Sequence, residues 1–273
     1  MSHLDKIRVY ARHTLATRLM HWLNALCVFV VLMSGLQIFN AHPNLYWGKA
    51  GADPERAVLE ISSKDAPDGG SVGVVRLGKH EFNSTGVLGV SNDGSERAFP
   101  SWVTIPGQRF LAAGRRWHFF FAWLLVINSA AYFCVSLARG HIKRDLLPSR
   151  AELSPSHVIR DLWNHLQLKF PRGEDAKRYN SLQKLAYLAL LFVIAPTILA
   201  TGLTMSPGID AGYPWLLDLF GGRQSARTIH FICAVLVVAF IAIHLIMVLL
   251  AGPINELRSM ITGRYVLPPK EAE

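Results

Sequence analysis

The stretch TIHFICAVLVVAFIAIHLIMVLL, residues 228–250, decides the fold. It contains no Asp, Glu, Lys or Arg. Its 23 residues, at ~1.5 Å of helical rise each, are enough to cross ~30 Å of hydrocarbon. Two imidazoles interrupt it, His230 and His244, fourteen positions apart. At ~100° per residue that spacing leaves both within ~40° of one helix face and ~21 Å apart along the axis. A titratable side chain in hydrocarbon is costly and is by default a functional residue.

Working outward, three more stretches of the same kind occur at about 17–39, 116–137 and 182–205. The 273-residue chain is 51% hydrophobic and 17% charged, and the charges crowd between these four stretches. That segregation predicts an all-α membrane protein, a four-transmembrane-helix bundle forming one integral-membrane domain over 1–273. The first stretch is too long for a secretory signal, lacks a small-residue cleavage site and carries His21, Trp22 and Asn24, so it reads as a retained span. Cys27, Cys134 and Cys233 each fall inside a span and imply no disulfide framework. No Cys-x-x-Cys-His is present, so any haem would be bound through side chains alone.

Basic residues set the expected orientation. The N-terminal segment holds Lys6, Arg8, Arg12 and Arg18, and the 139–184 connection holds ten Lys and Arg against five acids. The longer 40–116 connection is nearly balanced, nine against eight. Both termini are therefore expected in the cytoplasm, with 40–115 as a periplasmic insertion. The net charge of +9 reads as topology, and nucleic-acid binding is not needed to explain it. The insertion shows β-like runs at 71–77, 86–90 and 101–105, separated by Gly, Asn and Asp, and is expected to form a cap of short strands. Helical spacing of Val158, Ile159, Leu162, Trp163 and Leu166 predicts an amphipathic helix over 156–168, lying on the membrane surface.

Of eleven histidines, His21, His118, His230 and His244 lie in the spans. Antiparallel spans place His118 at the depth of His230, and His21 at the depth of His244. Two cross-helix pairs result, the arrangement that axial coordination of two haem b groups requires: a nitrogen donor on each side of each iron. These four are the candidate metal ligands. Arg18, Arg115, Arg116 and Arg227 lie within one turn of a histidine, where a haem propionate would emerge, although interfacial arginine also serves as a topology signal. Ser34, Gly35 and Gly202 suit close approach of a macrocycle or of a neighbouring helix, and helix packing is the plainer reading. The third span has no histidine and carries Pro196, so it reads as a kinked wall. His42 and His80 in the insertion, and His3, His13, His141, His157 and His165 on the cytoplasmic side, are given no role. No nucleotide loop, Ser-His-Asp set or thiolate metal site is evident.

Arg18-x-x-His21-Trp22-x-Asn24-Ala25 resembles the first-helix signature of the cytochrome b subunits of nickel–iron hydrogenases and formate dehydrogenase N. Leu111-Ala-x-Gly-Arg-Arg-Trp-His118, the His230/His244 spacing and Gly252-Pro253 with the tail at 260–265 look more like one branch of that family. It holds the thiosulfate reductase cytochrome b subunits and bacterial cytochrome b561-like proteins. The likeness covers all four spans, and Trp102-Val-Thr-Ile-Pro106 fits the same branch. The hydrogenase and formate dehydrogenase relatives have no equivalent long periplasmic connection.

The resemblance implies an inner-membrane protein with two b haems, ligated from the first, second and fourth helices. It also implies a quinone site near the cytoplasmic haem and a periplasmic redox partner, often a molybdopterin oxidoreductase. Asn24, one turn after His21, is a candidate hydrogen-bond donor to a quinone carbonyl, as are polar groups at 139–141. An asparagine bonded to a neighbouring helix is the competing reading. The expected function is electron transfer between the quinone pool and the periplasmic partner, as a subunit of an oxidoreductase complex. Two alternatives stay open: a stand-alone di-haem oxidoreductase acting on superoxide or a ferric chelate, and a non-redox anchor or transporter.

Overall fold

The computed structural model describes residues 8–52, 56–67, 69–140, 142–167 and 180–267. Strand β1 (Arg8–Ala11) precedes helix α1 (Leu15–Phe39). Strands β2 (Asn44–Leu45), β3 (Leu59–Asp65), β4 (Ser71–Leu77), β5 (His80–Asn83), β6 (Gly89–Val90) and β7 (Glu96–Arg97) follow, and then α2 (Leu111–Ala138). Next come α3 (Pro155–Leu166), α4 (Ser181–Ala189), α5 (Ala195–Thr204), the short α6 (Pro207–Gly212) and α7 (Pro214–Leu219), α8 (Arg223–Ala251), α9 (Pro253–Thr262) and β8 (Arg264–Leu267). The helices Leu15–Phe39, Leu111–Ala138, Ser181–Thr204 and Arg223–Ala251 are long and apolar enough to cross a membrane. They start and end near the expected spans, with α2 and α8 beginning five residues earlier because Arg115, Arg116 and Arg223 occupy helical turns ahead of the apolar run.

The third long helix is not a simple kinked rod. A π-helical segment, Leu190–Ile194, joins α4 to α5 just before Pro196. Proline lacks an N–H and crowds the carbonyl four residues back, and a wider turn relieves both problems. Asn180 caps α4 by accepting from the Gln183 backbone, while the Gln183 side chain returns to the Asn180 backbone.

Two compact units are distinguished within the chain. One is built from Asn24–Ile127 and Pro196–Val235. Its apolar core is Phe39, Leu45, Ile61 and Ala98, with Leu59, Val75, Phe99 and Phe231 packed against it. Strands β2-β3-β4-β5 form an antiparallel sheet in that order, with Ile61 opposite Val75 and Val75 opposite Phe82. Strands β6 and β7 pair separately. Gly89 of β6 has φ +77° and approaches β4 closely: a Cβ there would stand 2.9 Å from Gly73 Cα and 2.2 Å from the Ser62 carbonyl oxygen. Only glycine satisfies both constraints.

The expected run at 71–77 is β4. Of 86–90 only Gly89 and Val90 are strand, and 101–105 is not a strand at all. Ser101–Val103 forms a 3-10 turn, closed by the Thr104 hydroxyl donating to the Ser101 carbonyl at 3.1 Å. Pro100 opens that turn, removing a backbone donor that a strand would need. Arg97, 8% exposed, pins this loop. It donates to the carbonyls of Phe99 (2.6 Å) and Gly107 (2.7 Å), the Thr104 hydroxyl (3.0 Å) and the Gln37 side-chain oxygen of α1 (3.1 Å). Asn40 is doubly bonded to the Phe99 backbone, at 2.7 and 3.1 Å.

The other unit takes its residues from the chain up to Leu23, from Asn128–Ala195 and from Leu236 onward. Here β1 pairs antiparallel with β8, Tyr10 opposite Tyr265. The amphipathic helix expected over 156–168 is α3, with Ile159, Leu162 and Trp163 exposed. The buried Asn128 of α2 donates to the Met20 carbonyl at 2.9 Å, securing the turn of α1 that precedes His21.

Candidate functional site: two imidazole pairs

Each compact unit contains one histidine pair. His118 of α2 and His230 of α8 are neighbours, with ring centres 6.3 Å apart and ring planes 59° apart. His21 of α1 and His244 of α8 are likewise neighbours, at 6.4 Å and 61°. Two metal–nitrogen bonds of ~2 Å in line, plus about 1 Å from each nitrogen to its ring centre, give a separation of about 6 Å. Both pairs therefore have the spacing that one metal between two imidazoles demands. Two nitrogens alone do not satisfy a bare ion that wants four to six donors. Among the described residues no group of three or more His, Cys, Asp or Glu side chains converges. A macrocycle that brings its own four nitrogens needs only the two axial positions, and the residues present fit it.

The two pairs are seated differently. Nδ1 of His118 lies 3.1 Å from the Val31 carbonyl oxygen and 3.3 Å from Ser34 Oγ. Nδ1 of His230 lies 2.9 Å from the Ile198 carbonyl oxygen and 3.2 Å from Thr201 Oγ1. Gly35 and Gly202 lie against the same two rings. In the other unit His244 stacks on Phe240 at 6.2 Å and 5°, and Phe240 meets Tyr187 of α4 at 6.0 Å. Trp22 stands edge-on to His21 and anchors its own indole N–H on the Met260 carbonyl at 3.1 Å.

The third helix, expected from its sequence to be a kinked wall, supplies the seat of His230 and the brace behind His244. The signal was present as a recurring pattern, Val31-x-x-Ser34-Gly35 and Ile198-x-x-Thr201-Gly202.

The four arginines have distinct settings. Arg227 donates to the carbonyls of Asn44 (3.0 Å) and His42 and covers the Phe39 ring at 5.3 Å, tying α8 to the start of the insertion. Arg115 lies over the Phe119 ring at 5.7 Å, and both Arg115 and Arg116 are exposed. Arg18 donates to the Ile261 carbonyl, while its buried Nε–H has no hydrogen-bond partner among the described residues. Asn24 is half-buried and has an interaction partner. His3 and His141 lie outside the described residues.

Residues 12–263 match the family described as prokaryotic cytochrome b561. The chain belongs to that family. Membership carries haem b binding and membrane electron transfer with it, in agreement with the helices and imidazole pairs above. The chain is also 27% identical over 257 residues to a protein of Azospira oryzae, named as a candidate protein-methionine-sulfoxide reductase subunit, YedZ1. The match covers 93% of this chain and 98% of that protein, so the likeness extends over the insertion as well as the long helices.

Proposed function

We propose that this chain is a di-haem b-type cytochrome of the inner membrane, carrying electrons between the quinone pool and a redox partner outside the cytoplasm. The observation that carries the reading is the pair of imidazole couples, 6.3 and 6.4 Å between ring centres, each drawn from two different helices. His118 with His230 would hold one haem b, and His21 with His244 the other.

When bound, such a group would supply reversible one-electron chemistry. The protein's part would be to orient the imidazoles that hold the group, surround them with apolar helix and place charge near them. Arg18, whose buried Nε–H has no partner among the described residues, is the arginine best suited to receive a propionate. Arg115, Arg116 and Arg227 add positive charge at the start of α2 and α8. Quinone would exchange electrons at the His21–His244 end, where Asn24, one turn after His21, can address a carbonyl oxygen.

Basic residues in the N-terminal segment and the 139–184 connection favour cytoplasmic termini, which leaves the insertion outside. Its ordered sheet and the exposed Trp47, Phe82 and Trp102 favour a docked protein over a small diffusing oxidant. The partner would be a molybdopterin oxidoreductase. The name of the Azospira oryzae relative supports proposing a reductase of oxidised methionine as that partner, and on this reading electrons would flow outward from quinol.

Pyridine-haemochrome analysis of the purified chain should return two haem b per chain, and quinol should reduce both. A purified chain with no Soret band would defeat the reading.

A further inference from the structure

His118 and His230 are held by the same device, built on two different helices. A main-chain carbonyl faces Nδ1, from Val31 at 3.1 Å and from Ile198 at 2.9 Å. Three residues later a hydroxyl faces the same nitrogen, Ser34 Oγ at 3.3 Å and Thr201 Oγ1 at 3.2 Å. Each hydroxyl has a carbonyl of its own helix to take its hydrogen. Ser34 donates to the Val30 carbonyl at 2.6 Å and Thr201 to the Thr197 carbonyl at 2.7 Å. Both side chains are fully buried, so water does not compete.

Each Nδ1 therefore meets a carbonyl oxygen, which can only accept, and a hydroxyl oxygen left free to accept. Nδ1 must carry the proton, and Nε2 is left as the lone-pair nitrogen on both rings. The next residue in each case is glycine. A Cβ at Gly35 would stand 3.4 Å from Cε1 of His118, and one at Gly202 3.3 Å from Cε1 of His230. Ring position and tautomer are thus set together, by carbonyl, hydroxyl and absent side chain. Among the described residues no hydrogen bond reaches His21 or His244, whose rings are held by aromatic neighbours instead.

We propose that Ser34 and Thr201 are positioning residues that lock His118 and His230 in the Nδ1–H tautomer, with the Nε2 lone pair free to ligate, and lower the reduction potential of the haem that would be bound between them. The inference rests on the ligand assignment proposed above. An Nδ1–H shared by two acceptors gives the imidazole partial imidazolate character, which makes Nε2 more basic and favours ferric over ferrous iron. Removing the hydroxyl acceptor weakens that effect while leaving the carbonyl in place. The ligand is kept and only its electronics and freedom of rotation change.

The test is an optical redox titration of the full chain in lipid nanodiscs, comparing Ser34→Ala, Thr201→Val and their combination with Thr201→Ser. Haem content should stay at the native level. In Ser34→Ala and Thr201→Val the midpoint of one and the same haem should move to higher potential, further in the double variant, with the other haem unmoved. Thr201→Ser keeps the acceptor and should titrate like the native chain. Gly202→Ala should alter the low-spin electron paramagnetic resonance signal of that same haem. Unchanged midpoints in fully loaded variants would overturn the proposal, as would shifts of different haems by Ser34→Ala and Thr201→Val. A shift in Thr201→Ser as large as in Thr201→Val would also overturn it. A native chain without haem would defeat the functional reading itself, which haemochrome analysis reads separately.

Discussion

Arg12 and Glu256 are 244 residues apart in the chain, and Arg12 Nη1 donates to both carboxylate oxygens of Glu256 at 2.9 Å. The guanidinium also covers the Tyr265 ring at 4.6 Å. Beside it β1 pairs with β8, and Asn255 bonds both the N–H and the carbonyl of Val266. The two ends of the described chain are thereby clasped through one partly buried ion pair, with the side chains 23% and 19% exposed.

Breaking this clasp should loosen both ends at once. Arg12→Leu leaves a partly buried carboxylate unpaired, at a cost of about 1–3 kcal/mol. Amide protection should fall together in 8–11 and 264–267. In a double-mutant cycle with Glu256→Gln the combined loss should be smaller than the sum. Strictly additive losses would mean that the pair contributes nothing.

Histidine replacement should dissect the two sites. His118→Ala or His230→Ala should remove one haem equivalent, and combining them should remove no more. His21→Ala or His244→Ala should remove the other. Pyridine-haemochrome titration reads this directly, and a His21→Ala/His118→Ala variant that still binds one haem would contradict the pairing.

The Glu152 carboxyl is held down to about 2, chiefly by the hydrogen bond from Lys184, here 2.8 Å, and by the Ser149 backbone N–H. A carboxylate depressed below its ordinary 4.5 contributes stability that is fully present above about 4.5 and is lost as pH falls towards about 2. The thermal-stability difference between the native chain and Glu152→Gln should therefore be constant from pH 7 to about 5, then close on further acidification. A difference that widens on acidification would show the sign to be wrong.

Orientation is tested by reporter fusions. Enzymes active in only one compartment, fused after Gly70 and after Gly173, should report opposite sides, with Gly173 cytoplasmic. Finding both on one side would remove the basis for depth-matched histidines and for a quinone site near Asn24.

Much of the fold was legible because its signals are local. A run of 22 to 24 apolar residues declares a helix without reference to the rest of the chain. The strand over 71–77 was readable from β-branched residues bounded by turn residues. Its partner β3, LEISSKD, was not, because alternating polar residues make it a strand only once β4 lies beside it. The run at 101–105 misled for the converse reason: its β-branched residues fit a strand, but Pro100 and the Thr104–Ser101 bond close a turn.

The same division holds at the site. Sequence alone determined which four histidines lie in apolar helix, that two share one face of α8, and which partners lie at matching depth. These follow from helical rise and rotation per residue, quantities fixed by backbone geometry. Tertiary structure decided how the rings are held: Val31 and Ser34 reach His118 across 87 and 84 positions, and Ile198 and Thr201 reach His230 across 32 and 29. A hydrogen bond depends on distance and direction to within a few tenths of an ångström. Hydrophobic pattern specifies which face of a helix is buried but not its rotation or its height against a neighbour, so only the packed helices bring Nδ1 to its two acceptors.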